Sequence, residues 1–352
     1  MTPRPAIATA ALAGLLLLSG TAQAADVLTL VPGAATKAPG NQLRGTVVAE
    51  TPTEVKFKPT AGPEQSIPID QVDSIAYEGQ PASLGLAETR LNNGDLAGAV
   101  ELFKKAAAEA SGKPTVAQAA AFGALAAQAD QAMGSPAKAA EVAGLLDAFI
   151  KANPAGRHLG PALEAMAKLD LVRGEADKAD ASAAALARLP WAADRAAVLR
   201  AEVLGRKGQH DQAVAALDKI LAGAEKGSPK ARAAMLSKSK ALAGLKKFDE
   251  AETLVRAVID QSPAEDAAVQ AVARNTLGDC LRAAGRPKDA LFAYLQTDIL
   301  FDKDKEQHPR ALYEIAQLWR VLKRDDRADE TLERLRQQYP QSPYLGARPA
   351  GR

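Results

Sequence analysis

The side chains able to do chemistry are few and far apart in this chain of 352 residues. Its three histidines, His158, His210 and His308, stand in different stretches, and none has the His-Glu-x-x-His spacing that places two imidazoles on one helix face to grip a metal. Each reads as a solvated turn or inter-repeat residue, so no metal site and no cofactor is expected. Cys280 is the sole cysteine, which excludes an intrachain disulfide; a small thiol between apolar neighbours reads as packing. The carboxylate pairs Asp249-Glu250 and Asp325-Asp326 precede apolar-periodic stretches, where acid complements a helix dipole. The sequence has no Gly-x-Ser-x-Gly elbow, no glycine-rich phosphate loop with lysine and no Gly-x-Gly-x-x-Gly after a strand. No catalytic residue is assigned.

What would position any functional side chain is a repeat. Ala99, Ala139, Ala179, Ala213, Ala251, Ala290 and Ala328 return at intervals of 34 to 40 residues, the length of one pair of packed helices. Each has a small partner about twelve residues earlier: Ala87, Ala127, Ala167, Ala201, Ser239, Gly278 and Ala316. Side chains at a helix crossing set the interaxial distance, so two small residues there allow a close approach. Between the two stand Gly94, Gly134, Gly174, Gly208 and Gly285, as expected for turns that need a left-handed residue. The fold expected is mainly α: a solenoid of about seven helical hairpins over residues 80–343, followed by a disordered tail at 344–352. Trp319 occupies a position normally packed inside such a hairpin.

This pattern resembles the tetratricopeptide repeat (TPR) family, including prolines at repeat ends: Pro154, Pro190, Pro229, Pro263 and Pro340. Two departures are Lys238 in the fifth unit and Ala183, where the family usually has an aromatic. In the family, first-helix positions facing away from the second helix line a groove. Here these map to Glu88, Gln128, Glu164, Lys168, Glu202 and Lys240, and further on to Asn275, Asp279, Arg282, Tyr313, Gln317 and Arg320. The signs alternate, unlike the Lys and Asn set with which family members clamp a carboxyl terminus. The stretches Lys151–Arg157 and Gln337–Tyr344 look like repeat ends of bacterial cell-envelope proteins.

Hydrophobic residues make up 47% of the chain but aromatics only 4%, so the core must be Ala and Leu. A net charge of +2 gives no field that would draw nucleic acid. At the N-terminus Arg4 precedes an apolar run, Ile7 to Leu18, and the small residues Ala22-Gln-Ala24, so residues 1–24 read as a secretory signal cleaved before Ala25. A periplasmic or secreted chain with no membrane span after cleavage follows. Residues 25–41 read as a linker with a first strand. Residues 42–79 are dense in β-branched residues, alternate at Val55, Phe57, Ile67 and Ile69, and look like a small SH3-like or Sm-like antiparallel β-barrel. This module either docks a partner or covers the first repeat. The expected function is a non-enzymatic exported scaffold holding a protein or peptide partner of the cell envelope. The alternatives are an assembly factor for outer-membrane or cell-wall machinery, and a cell-wall enzyme with an unrecognised site.

Overall fold

The computed structural model describes residues 25–110 and 112–346. The signal segment at 1–24 and residues 347–352 of the expected tail lie outside them. The first element is an antiparallel sheet of β1 (Asp26–Leu30), β2 (Gln42–Glu50), β3 (Glu54–Pro59), β4 (Gln65–Pro68) and β5 (Val72–Ala76), in the order β4-β3-β2-β1-β5. The Asp26 carboxylate ties β2 to the end of β5 by accepting from the backbone N–H of Val47 and of Glu78, each at 2.7 Å.

The sheet is open, which corrects the expected barrel: β4 and β5 are edges and do not pair with each other. Its apolar face is covered in another way. Leu28, Leu30, Val55, Phe57, Ile67 and Ile75 share one core with Leu84, Ala87, Ala99 and Phe103 of the first hairpin, so helices seal the face that a barrel would seal by curling. With a four-residue β4 that ends in a proline, little ladder is available for closure.

Fourteen helices follow as seven hairpins: α1 (Ala82–Asn92) with α2 (Leu96–Glu109), α3 (Pro114–Ala132) with α4 (Pro136–Ala152), α5 (Leu159–Val172) with α6 (Ala176–Leu186), and α7 (Ala193–Arg206) with α8 (His210–Ala222). They continue as α9 (Pro229–Gly244) with α10 (Phe248–Gln261), α11 (Ala267–Ala283) with α12 (Pro287–Leu300), and α13 (Gln307–Val321) with α14 (Asp325–Gln338). The helix starts are written in the chain. Pro114, Pro136, Pro229 and Pro287 open helices where no N–H is needed, and Asp95, Ser135, Ser228 and Asp266 accept from a backbone N–H of the first turn.

The small crossing residues are where close packing demands them. All seven of the recurring alanines are fully buried, as are Ala87, Ala127, Ala167, Ser239 and Ala316. Gly278 shows why bulk is excluded: a Cβ there would lie 2.5 Å from the ring of Tyr294, itself fully buried. Trp319 packs half-buried against the same core. Gly94, Gly174, Gly208 and Gly285 have positive φ at the hairpin turns, whereas Lys246 and Lys323 adopt it without being glycine.

Seven hairpins bring the end of the stack back to its beginning. Lys305, in the α12–α13 loop, lies against Gly94 of the first turn. A 3-10 turn at Pro343–Gly346 lies against Gly134 of the second, where a Cβ would fall 2.2 Å from the Pro343 carbonyl oxygen. The ordered chain thus runs past residue 343. The sheet spans repeats as well: Trp191, before α7, donates to the Pro52 carbonyl of the β2–β3 hairpin at 2.8 Å, and Arg157, before α5, pairs with Glu50 at 2.9 Å.

Candidate partner-binding groove

From α3 onward the odd-numbered helices touch one another in succession, which puts them on the short inner radius of the curve, with the even-numbered helices outside. The first-helix residues fall into three groups on this inner wall. Glu88, Lys168, Lys240, Arg282 and Arg320 are exposed, while Gln128, Glu164, Glu202, Asp279 and Gln317 are half-buried. Asn275 and Tyr313 are buried, which corrects their expected role as open groove residues. Asn275 spends its amide nitrogen on the Gln307 backbone and side-chain oxygens at 2.9 and 3.1 Å, which fixes the start of α13. Tyr313 does face the groove but is covered by Tyr344, whose ring stacks on it at 5.6 Å and 27°.

The wall is laced by ion pairs from one first helix to the next. Glu164 holds Arg195 of α7 at 2.6 Å and Lys168 at 2.9 Å. Lys240 of α9 approaches Glu202 of α7 at 3.6 Å, and Arg282 of α11 meets Glu314 of α13 at 2.8 Å. Asp279 accepts from the Tyr294 hydroxyl at 2.6 Å and from the Arg310 guanidinium. Pairs with at least one member open to water, such as Arg195–Glu164 and Lys240–Glu202, contribute about 0–1 kcal/mol each. Their effect is to neutralise the wall and hold the register between hairpins. Arg195, Arg310 and Glu314 escape the family-position argument. The residue spacing could have found them, because the partners Glu164–Arg195, Asp279–Arg310 and Arg282–Glu314 are 31 or 32 positions apart with opposite sign.

Curvature brings opposite walls close enough to alter ionisation. Asp130, near the end of α3, is accessible to water yet surrounded by protein on the concave side. Lost hydration and the facing carboxylate of Glu306 push it up to about 6, against the pull of Lys168. Glu88 is raised for the same first reason, with Arg157 opposing. At the far end Tyr344 is enclosed beside Arg310, and burial raises its phenol. A cavity of about 180 Å³ separates Gln131, Ser135 and Lys138 from Gln341, Ser342 and Pro343. Around it the C-terminal turn clasps the last hairpin to the second, with Tyr344 stacked on Tyr313 and Pro343 set against Gly134.

Catalytic geometry was sought in the buried polar groups. His308, fully enclosed rather than solvated, has Nε2 2.8 Å from Asp298 and Nδ1 2.7 Å from the Tyr339 hydroxyl. Burial works to raise the Asp298 carboxyl, but hydrogen bonds from His308 and Arg334 overcome it and hold it below the usual range. Both imidazole nitrogens are spent, so this cluster pins α12, α13 and α14 together and offers no base to a substrate. His158 is also buried, stacked on Phe122 at 4.8 Å. Burial pushes the Cys280 thiol up to about 11, which makes it inert packing. Among the described residues no group of three or more His, Cys, Asp or Glu could hold a metal, and no helix is long and apolar enough to cross a membrane.

Residues 198–266, from within α7 to the residue before α11, match a tetratricopeptide-repeat family model, and residues 310–342, covering most of the last hairpin, match a second one. These two stretches carry tetratricopeptide repeats. Solved structures with similar folds include a TPR protein from Parabacteroides merdae ATCC 43184 (18% identity, 74% of this chain and 97% of that one, TM-score 0.46). Others are a Rap protein complexed with competence and sporulation factor (12%, 75% and 78%, 0.49) and PilW, a type IV pilus biogenesis factor (19%, 59% and 89%, 0.39). No curated protein matches the sequence.

Proposed function

We propose that this TPR protein is a non-enzymatic scaffold, exported to the periplasm or secreted, that holds a protein or peptide partner against its inner wall. The observation that carries the reading is the wall itself: polar side chains from successive first helices are paired to each other, and among the described residues no cluster of His, Cys, Asp or Glu could hold a metal there. Such a surface binds by shape and many weak polar contacts instead of by chemistry. Export rests on residues 1–24, whose short apolar run and Ala22-Gln-Ala24 end fit a cleaved signal, and a partner in the cell envelope follows from that address.

The test is site-specific photocrosslinking in intact cells, with the crosslinker at Gln128 or Gln317 on the inner wall and, as control, at Leu145 on the outer face. One protein joined reproducibly from the inner positions and absent from the control is the expected result. Equal labelling from all three positions would refute groove binding. A chain that retains Met1 in the cytosolic fraction would refute export.

A further inference from the structure

The outer face carries a second, unassigned docking surface. α10 and α12 stand apart with α11 as the floor between them, leaving a cleft of about 520 Å³. Three arginines line it: Arg256 from α10, Arg274 from α11 and Arg286 from the turn before α12. Asp260 and Asp289 line it too.

The arginines differ in how they are neutralised. Arg256 and Arg286 both hold Glu252, at 2.7 and 2.6 Å, and Arg286 also holds Asp289 at 2.7 Å. Among the described residues Arg274 pairs with no carboxylate. It reaches the side-chain oxygen of Gln270, lies over the Phe301 ring at 5.2 Å, and leaves its Nε buried without a hydrogen-bond partner. Asp260 lies exposed at the rim and makes no ion pair within 4 Å, so it does not neutralise Arg274. A guanidinium partly stripped of water without an anion is a charge whose desolvation is left uncompensated, and a carboxylate entering the cleft would offset it by a bidentate bond.

The rim supplies the apolar half of the surface. Eight large hydrophobic residues are exposed in the described chain, and three lie within nine residues of α12: Phe292 (68%), Ile299 (72%) and Leu300 (58%). The other five, Val48, Leu86, Met133, Leu145 and Val321, are scattered over separate elements. At 100° per residue, Phe292, Gln296, Ile299 and Leu300 fall on one face of α12, and Phe292 and Gln296 line the cleft. Clustered exposed apolar residues beside a cleft that holds one arginine without a carboxylate partner mark an interaction site.

The geometry points to an acidic amphipathic segment of a partner protein as the occupant. Its Asp or Glu pairs with Arg274, and its bulky apolar side chains cover Phe292 and Ile299. This surface lies outside the groove, so the two sites can be occupied together.

The test uses the full mature chain. A random-peptide phage library is selected on it and counter-selected on the double variant Arg274→Gln, Phe292→Ser. Enriched peptides should carry a carboxylate beside large apolar residues. Each single substitution should weaken their binding about tenfold or more in fluorescence polarisation. Because Phe292 is exposed, Phe292→Ser keeps the fold whatever Arg274→Gln does, and circular dichroism melts check both. Recovery of no peptide that distinguishes the two proteins would overturn the inference. So would enriched peptides that lack carboxylates, or ones that bind Arg274→Gln as tightly as the parent.

Discussion

Replacing Gly134 by alanine should release the C-terminal clasp. Gly134 has no positive φ, so alanine fits its own turn, and the disturbance is confined to what faces it. The added Cβ would sit 2.2 Å from the Pro343 carbonyl oxygen, 2.8 Å from its carbon and 3.1 Å from its Cβ. Backbone cannot rotate aside as a side-chain tip can, so residues 343–346 must retreat by about an ångström to restore ordinary van der Waals contact. Two outcomes bound the cost. If the turn stays and bears the strain, overpacking costs about 1–3 kcal/mol. If it leaves, the Tyr313–Tyr344 stack is lost, about 0.5–1.5 kcal/mol beyond the area it buries. Either way the clasp loses about 1–3 kcal/mol, and its opening equilibrium rises by about 5- to 150-fold. Hydrogen exchange at Ser342 and Leu345, whose amides donate to Tyr339 and Ser342, reads that change directly. Gly144→Ala is the control: it lies mid-helix on α4 with nothing within 4 Å of a Cβ, and should stabilise by about 0.5–1 kcal/mol. Unchanged protection at both amides in Gly134→Ala, alongside a stabilised Gly144→Ala, would refute the reasoning.

Other consequences can be measured in the same preparations. Gly278→Ala drives a methyl into the Tyr294 ring and should lower stability by about 1–3 kcal/mol in denaturant titration, opposite in sign to Gly144→Ala. Trp191→Phe deletes the bond to Pro52 and should cost about 1 kcal/mol, with faster exchange at the Thr53 and Glu54 amides beside it; no change there would mean that the hairpin stands without the tryptophan. Asp130 binds its proton more readily folded than unfolded, so the parent should lose stability as pH rises from about 4 through about 6. Asp130→Asn should flatten that slope, and an NMR titration of the Asp130 carboxyl near pH 4 would contradict it.

Much of the solenoid is legible because one physical demand repeats. Helices that cross closely need a residue without bulk, and the Ala, Ser and Gly positions that return along the chain are the ones found buried at the crossings. Family positions place Glu164, Lys168, Glu202 and Lys240 on the inner wall for the same reason. What the local pattern lacks is any mark of long-range return. Tyr313 has the periodicity of a groove residue and is covered only because residues 343–346 fold back over it. Asn275 has that periodicity as well, but it turns to the next repeat to satisfy the start of α13. The open sheet follows from a partner, the first hairpin, which the strand pattern does not record. His158 and His308 look like turn residues in sequence and are buried because neighbouring repeats close over them.

The clasp changes how the stack responds to load. In an open row of hairpins each unit feels only its neighbours, and fraying spreads inward from a loose terminus. Here the terminal coil is buckled to the second, so a pull on the last helix is shared with residues two hundred positions upstream. The protein should behave less like a spring that stretches coil by coil than like a bracelet, rigid while fastened and slack throughout once the catch is undone.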